Sequence, residues 1–364
     1  MDKTSDVIIG FDDVSQRFTE ALASLAAIVL TKQHLIDDLE NMFESLIQLI
    51  ATAIDDKSPY TGGHCRRVPE LTLLLAEAAH KSQDAYLRDF TMTDKDRYEL
   101  KIAGWLHDCG KITTPEHVVD KSTKLETIYD RVELIETRFE VLKRDAEIEM
   151  LKQKALSPDN TEEIDKIYQD KISKIEDNFN FIKKSNTGGE FMDKQDQQRI
   201  FEIAKETWTL SNDTVQLLSK NEADNLTIER GTLTGEERRI INHHIDATIA
   251  MLDKINFPKH LLNVPEYAGG HHERMDGNGY PKGLKREEMT IQARSMAIAD
   301  IFEALTAKDR PYKKGKKLSE SVAILTKMKE GNHVDPDLFD AFMKDKVYLK
   351  YAHQFLDSYQ IDMD

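Results

Sequence analysis

Five histidines and two aspartates, His64, His107, Asp108, His244, His271, His272 and Asp300, constrain this chain more than any other feature of its sequence. An imidazole is costly to bury unless it finds a partner, and two adjacent pairs, His107-Asp108 and His271-His272, exceed what a fold alone needs. A chain that folds around them must draw donors from widely separated stretches to one place, which points to a metal site. Seven donors are more than one tetrahedral ion accepts. Two ions fit better, with a carboxylate rather than an imidazole spanning them. Asp108 is the natural bridge. His64, His107 and Asp300 are expected to complete the protein shell of one ion, and His244, His271 and His272 that of the other, leaving open positions for water and a phosphate oxygen. Imidazole and carboxylate donors without thiolate suit iron, manganese or zinc, and open positions on paired ions suit hydrolysis.

The residues around these donors form an ordered set of motifs. They are Pro59-Tyr60-Thr61-Gly62-Gly63-His64, His107-Asp108-Cys109-Gly110-Lys111-Ile112, Leu233-Thr234-Gly235-Glu236-Glu237 leading to His244, the run from His271 to Pro281, and Ala299-Asp300-Ile301-Phe302-Glu303-Ala304-Leu305-Thr306. In this order the chain resembles the HD-GYP phosphodiesterases, bacterial hydrolases of cyclic dinucleotides within the HD phosphohydrolase superfamily, over about residues 45–125 and 228–345. The resemblance implies an all-α, HD-type helical bundle. It also implies two divalent ions, iron or manganese first, with zinc, nickel or magnesium as other occupants. The seven donors fall on the family's metal positions. Lys111 matches the lysine that contacts a substrate phosphate, Tyr280 lies in the signature loop beside the pocket, and Arg310 with Lys313 matches basic residues that hold the dinucleotide. His243 matches no ligand position. Some members add a glutamate near the first histidine for a third metal, but Tyr60 to Gly63 offers no carboxylate. The family's common tryptophan in the signature loop is Met275 here.

A mechanism is expected from this set, in which a hydroxide held between the ions attacks the phosphodiester of cyclic di-GMP or 3',3'-cyclic GMP-AMP to give the linear dinucleotide. Asp108 and Lys111 are the residues expected to act in that chemistry. Lys111 follows the His107-Asp108 pair by one turn, close enough to share its face. Basic residues at 308, 310, 313, 314, 316 and 317, against the single acid Asp309, make a local positive segment able to hold a diester. Two other classes stand beside this reading. One is a noncatalytic cyclic-dinucleotide receptor or scaffold, against which the intact donor set weighs. The other is a mononucleotide phosphohydrolase, which the Gly-Tyr-Pro loop and the His271-His272 pair disfavour.

The rest of the chain sets the background. A net charge of −16 argues against binding duplex nucleic acid, whose affinity rests on displacing counterions with lysine and arginine. With only two cysteines, no signal peptide and no apolar stretch near the ~20 residues of a spanning helix, a cytoplasmic protein without a membrane span is expected. Cys65 and Cys109 each follow a ligand candidate and read as small core residues rather than redox sensors.

Apolar residues at spacings of three and four read as helix nearly throughout. Leu35, Leu39, Phe43, Leu46, Ile50 and Ile54 mark a long amphipathic helix leading into the first histidine motif. Four segments are expected: an N-terminal helical segment, 1–50; the first part of the HD-GYP domain, 51–125; a helical, coiled-coil-like hairpin insert, 126–230; and the second part, 231–364. In the insert, Ile128, Val132, Ile135, Phe139 and Leu142 form one stripe, and Ile164, Tyr168, Ile172, Ile175, Phe179 and Ile182 another. Ser157 to Asn160 supplies the turn and Ser185 to Gly189 a second break. A third helix is expected over about 193–208. The insert holds 16 Lys and Arg against 24 Asp and Glu, half of the chain's excess acid. A homodimer through the N-terminal helix or the insert, and a diguanylate cyclase-type partner, are the protein contacts expected.

Overall fold

A computed structural model describes residues 12–57, 63–188, 191–211, 213–307 and 315–363. It begins with α1 (Asp13–Lys57), of which residues 16–42 are exposed all round. Only the last third docks, through Phe43, Ile47, Ala51 and Ile54. Helices α2 (His64–Lys81) and α3 (Asp94–Leu106) follow, then a 3-10 turn (Cys109–Thr113) and the short α4 (Glu116–Val119). The insert contains α5 (Val132–Leu156), α6 (Thr161–Asn186), α7 (Lys194–Lys205), strands β1 (Thr207–Leu210) and β2 (Asp213–Gln216), and α8 (Lys220–Leu226). The chain then returns through α9 (Gly235–Asn242), α10 (His244–Leu252), α11 (Val264–Gly269), α12 (Ile291–Thr306), α13 (Leu318–Glu330), α14 (Pro336–Lys344) and α15 (Val347–Phe355).

The all-α expectation holds. Among the described residues the only sheet is the antiparallel β1–β2 hairpin. That hairpin corrects the third insert helix, which ends at Lys205 instead of about 208. Thr207-Trp208-Thr209-Leu210 and Asp213-Thr214-Val215-Gln216 carry β-branched or aromatic residues at five of their eight positions. They flank a turn in which Ser211 takes φ 58°, so local β preference overrides the preceding helical period. A second correction concerns Ile128, which lies before α5 and is 95% exposed. The stripe begins at Val132.

Outside the insert, helix α2 occupies the centre of the main helical body, packed on α3 along one side and α12 along the other. Leu71, Leu75 and Ala79 of α2 meet Ile298 and Phe302 of α12, with Phe302 edge-on to Phe342. Val68 and Ala76 meet Leu100, Ile102 and Ala103 of α3. The insert has a core of its own, in which Ile135 and Phe139 of α5 face Ile175 and Ile182 of α6, closed below by Ile200, Ile203, Leu217 and Leu226. Leu125, one residue before the expected boundary, belongs to this core. Within it Arg138 makes a two-pronged ion pair to the buried Glu222, at 2.8 and 3.0 Å. Lys121 joins insert to body by donating to Asn225 and to both Glu237 oxygens, each at 2.8 Å, while Glu237 also caps α9.

Candidate metal centre and its cavity

The seven donors come from five places in the fold: the first residue of α2, the end of α3, the start of α10, the residues after α11, and the middle of α12. Close approach of backbones makes this possible. A Cβ on Gly110 would collide with the His244 carbonyl and the Thr248 amide, so a glycine there lets α10 lie directly on the 3-10 turn that follows Asp108. The Gly110 amide donates to Thr248 Oγ1 at 2.9 Å across that contact. Gly279 likewise admits the backbone of Glu273 and Arg274, folding the signature loop back on itself.

Each buried ring is aimed by its far nitrogen. Nδ1 of His107 donates to the Gly104 carbonyl at 2.7 Å, that of His271 to Ala268 at 2.6 Å, and that of His244 to Ile241. A carbonyl can only accept, so these three rings carry their proton on Nδ1 and present the Nε2 lone pair. His64 Nδ1 meets Glu303 Oε2 at 2.5 Å, and Glu303 is held in turn by Arg67 at 2.7 Å. Burial alone would push the Glu303 carboxyl up, but His64 and Arg67 outweigh it and hold it below the usual range.

The free edges converge. His64, His107 and Asp300 place one donor atom each within 4.8 Å of one another, as do His244, His271 and His272, and as do His107, Asp108 and His271. Asp108 lies between the groups, with Oδ2 3.2 Å from His64 Nε2 and 3.3 Å from His107 Nε2, and Oδ1 3.2 Å from His244 Nε2. Asp108 Oδ1, His244 Nε2 and His271 Nε2 are buried without a hydrogen-bond partner. Such atoms are rare because they forfeit solvation, and three of them facing one point fit a cation as the missing partner. Burial opposes ionisation of Asp108 and Asp300. Lys111 and His107 nevertheless hold Asp108 well below its ordinary range, and His64 does the same for Asp300. Burial lowers His271 well below its usual value and His272 to about 4, so both stay neutral and able to ligate at pH 7.

Lys111 sits in the 3-10 turn with Nζ 2.5 Å from Asp108 Oδ2. Tyr280 stacks on His272, ring centres 4.8 Å apart and 22° between planes, and burial pushes its hydroxyl above the ordinary range. Both His272 and Tyr280 line a cavity of about 730 Å³ that opens beside Asp300. Its walls include Arg238, Arg274, Lys316 and His333. Sequence reading missed Arg238, Arg274 and His333, which reach the cavity from separate loops and helices and carry no common spacing. It also missed Glu303 and Arg67. Those had a signal, since Asp300 and Glu303 on α12, and His64 and Arg67 on α2, are each three residues apart and share a face. Arg310 and Lys313, most of the basic segment and Pro59 to Gly62 lie outside the described residues. His243 points to solvent, 3.2 Å from Asp246. Cys65 and Cys109 are buried, which raises the first thiol well above its usual value and the second to about 11. Neither offers the thiolate that oxidation needs. Among the described residues no helix is long and apolar enough to cross a membrane.

Family models for the HD domain match residues 61–184 and 221–338. A probable cyclic di-GMP phosphodiesterase of Vibrio cholerae is 36% identical over 145 residues, 37% of this chain and 31% of that protein. A cyclic di-GMP phosphodiesterase of Thermotoga maritima is 37% identical over 121 residues, 33% of this chain and 32% of that protein. The 3'3'-cGAMP-specific phosphodiesterase 3 of Vibrio cholerae is 31% identical over 334 residues, 91% of this chain and 44% of that protein. The chain thus spans less than half the length of these relatives.

Proposed function

The chain belongs to the HD domain family, and on that premise we propose that it is a metal-dependent phosphodiesterase that opens a cyclic dinucleotide to the linear dinucleotide. The observation that carries this is the convergence of three buried, unpartnered donor atoms, His244 Nε2, His271 Nε2 and Asp108 Oδ1, beside a cavity with cationic walls. We assign His64, His107, Asp108 and Asp300 to one divalent ion and His244, His271, His272 and Asp108 to a second, with iron or manganese preferred over zinc, nickel or magnesium. Ions so held supply Lewis acidity toward phosphate and water.

The protein's own groups do the rest. Asp108 shares its two oxygens between the two histidine groups and fixes their separation. Lys111 keeps its proton, because Asp108 and Asp300 raise its pKa against the effect of burial. Its ammonium neutralises charge at the Asp108 edge, where a substrate phosphate would enter. Tyr280 remains a neutral hydroxyl at any working pH and can donate to a phosphate or sugar oxygen. Arg310 and Lys313 are proposed to hold the distal part of the dinucleotide, together with Arg238 and Lys316 on the cavity wall. A cavity of about 730 Å³ lies within the range usual for small-ligand sites, roughly 300–1,000 Å³.

For the substrate we favour 3',3'-cyclic GMP-AMP over cyclic di-GMP, because the relative whose match spans most of the chain, and so runs through the insert, is named for the former. We read the chain as segments 1–50, 51–125, 126–230 and 231–364. The partner we propose is a second copy meeting along α1. There Leu22, Val29, Ile36 and Ile50 at one heptad position and Phe18, Leu25, Leu39 and Leu46 at the other are all exposed large apolar residues, in the register of a two-stranded coiled coil.

The test is an anaerobic assay of protein loaded with ferrous iron or manganese, given each cyclic dinucleotide separately, with products resolved by mass. A linear dinucleotide is expected. Full metal occupancy without product from either substrate would overturn the proposal.

A further inference from the structure

The last turn of α1 holds the backbone of the metal centre at two points. Lys57 Nζ donates to the carbonyls of Lys111 at 3.0 Å, Ile112 at 2.6 Å and Thr114 at 2.6 Å. Three bonds use all the protons of an ammonium. These carbonyls close the 3-10 turn Cys109–Thr113, and a helix end of this kind leaves acceptors unsatisfied and favours a cation. Two residues earlier, Asp55 accepts the amides of Gly63 at 3.1 Å and Cys65 at 3.2 Å, on either side of His64. Gly63 begins α2 with φ 87° and has no side chain to cap it, so the cap comes from another helix. One turn of α1 therefore grips the backbone at His64 on one side and at Lys111 on the other. Neither Asp55 nor Lys57 is among the metal-type donor groups or the cavity lining.

We propose that Asp55 and Lys57 are positioning residues that set the backbone of His64 relative to the Asp108–Lys111 turn, with Lys57 acting on turnover through Lys111. The proposal rests on the role given to Lys111 above. It makes the exposed helix α1 continuous with the chemistry, because the turn that ends its apolar seam is the turn that aligns the site. A misplacement of about 1 Å at a reacting group can cost about a hundredfold in rate, and loss of three anchoring bonds permits movement of that order.

The experiment compares Lys57→Met, Lys57→Arg, Lys111→Ala and the double variant Lys57→Met/Lys111→Ala, each loaded with manganese. Lys57→Met is expected to lower kcat by about ten- to hundredfold with manganese content unchanged and faster amide exchange at Ile112–Thr114. Lys57→Arg should regain most of the activity, since a guanidinium can reach the same carbonyls. In the Lys111→Ala background, Lys57→Met should cost nothing further. An equal loss in both backgrounds, or unchanged exchange at Ile112–Thr114, would overturn the proposal. Failure of the role assigned to Lys111 is read separately, from the single Lys111→Ala variant retaining full activity.

Discussion

Glu303 is the residue whose replacement tests most directly whether the metal centre is aligned from behind. Its carboxylate is 1% exposed, accepts from His64 Nδ1 at 2.5 Å, and is held by Arg67 at 2.7 Å. Glu303→Gln keeps the shape and removes the charge. The carboxamide has one accepting oxygen for two donors that approach from different sides, so one buried N–H must face an NH₂. Losing one charge-assisted bond and weakening the other amounts to about 3 kcal/mol, the low end of the cost of breaking a buried pair. Spread over the unfolding entropy of a 364-residue chain, that corresponds to a fall in Tm of about 4 °C. Loss of the group that orients a metal-binding histidine typically costs 10–100-fold in metal affinity. Competition titration of manganese against a fluorescent chelator reads that figure, and thermal unfolding of the metal-free protein reads the first. The control is Glu222→Gln, which breaks a comparable pair inside the insert core. It should lower stability without altering metal affinity. Unchanged affinity in Glu303→Gln, or an equal loss in both variants, would refute the reasoning.

Three further outcomes are expected. Asp108→Asn should stay folded but lose most activity and part of its bound metal, because an amide oxygen cannot bridge two cations as a carboxylate does; elemental analysis with turnover checks it, and a fully loaded, active variant would count against two ions sharing Asp108. Glu222 is held below its ordinary pKa, since Arg138 outweighs the opposing effect of burial. The pair therefore stabilises the insert above the unfolded pKa of 4.5, and this contribution fades as pH falls through the folded value. Urea midpoints of parent and Glu222→Gln should differ by the equivalent of about 2–3 kcal/mol at pH 7 and converge below pH 4.5; a difference independent of pH would contradict this. The parent should sediment as a dimer and the double variant Leu25→Glu/Leu39→Glu as a monomer with the helical signal retained; equal sedimentation of the two would count against pairing along α1.

The donor-bearing body was readable because its donors sit beside glycines and a lysine whose spacing is rigid. His107-Asp108 needs Gly110 and Lys111 at fixed offsets, and the signature loop needs Gly279, so order along the chain carries three-dimensional information. The insert stripes were readable for a different reason. Ile135, Phe139, Ile175 and Ile182 repeat at helical spacing and bury as a seam. The hairpin at 207–216 escaped, since the apolar period of α7 runs into Trp208 and masks the cluster of β-branched residues around it. Glu303 and Arg67 escaped because an acid and a base on amphipathic helices look like solvent-facing residues until two helices are packed face to face. Arg238, Arg274 and His333 share a cavity only through tertiary placement.

The donors also have an order in time. His64, His107 and Asp108 are made first, then residues 109–243, and only afterwards His244, His271, His272 and finally Asp300. A chain emerging from the ribosome, which folds from its N-terminal end, displays three donors of an unfinished set while the insert is still being built around its own core. Those three are three of the four donors assigned to the first ion, and Asp300 completes that group last. The full donor set therefore exists only once α12, the last of the contributing elements, has been made.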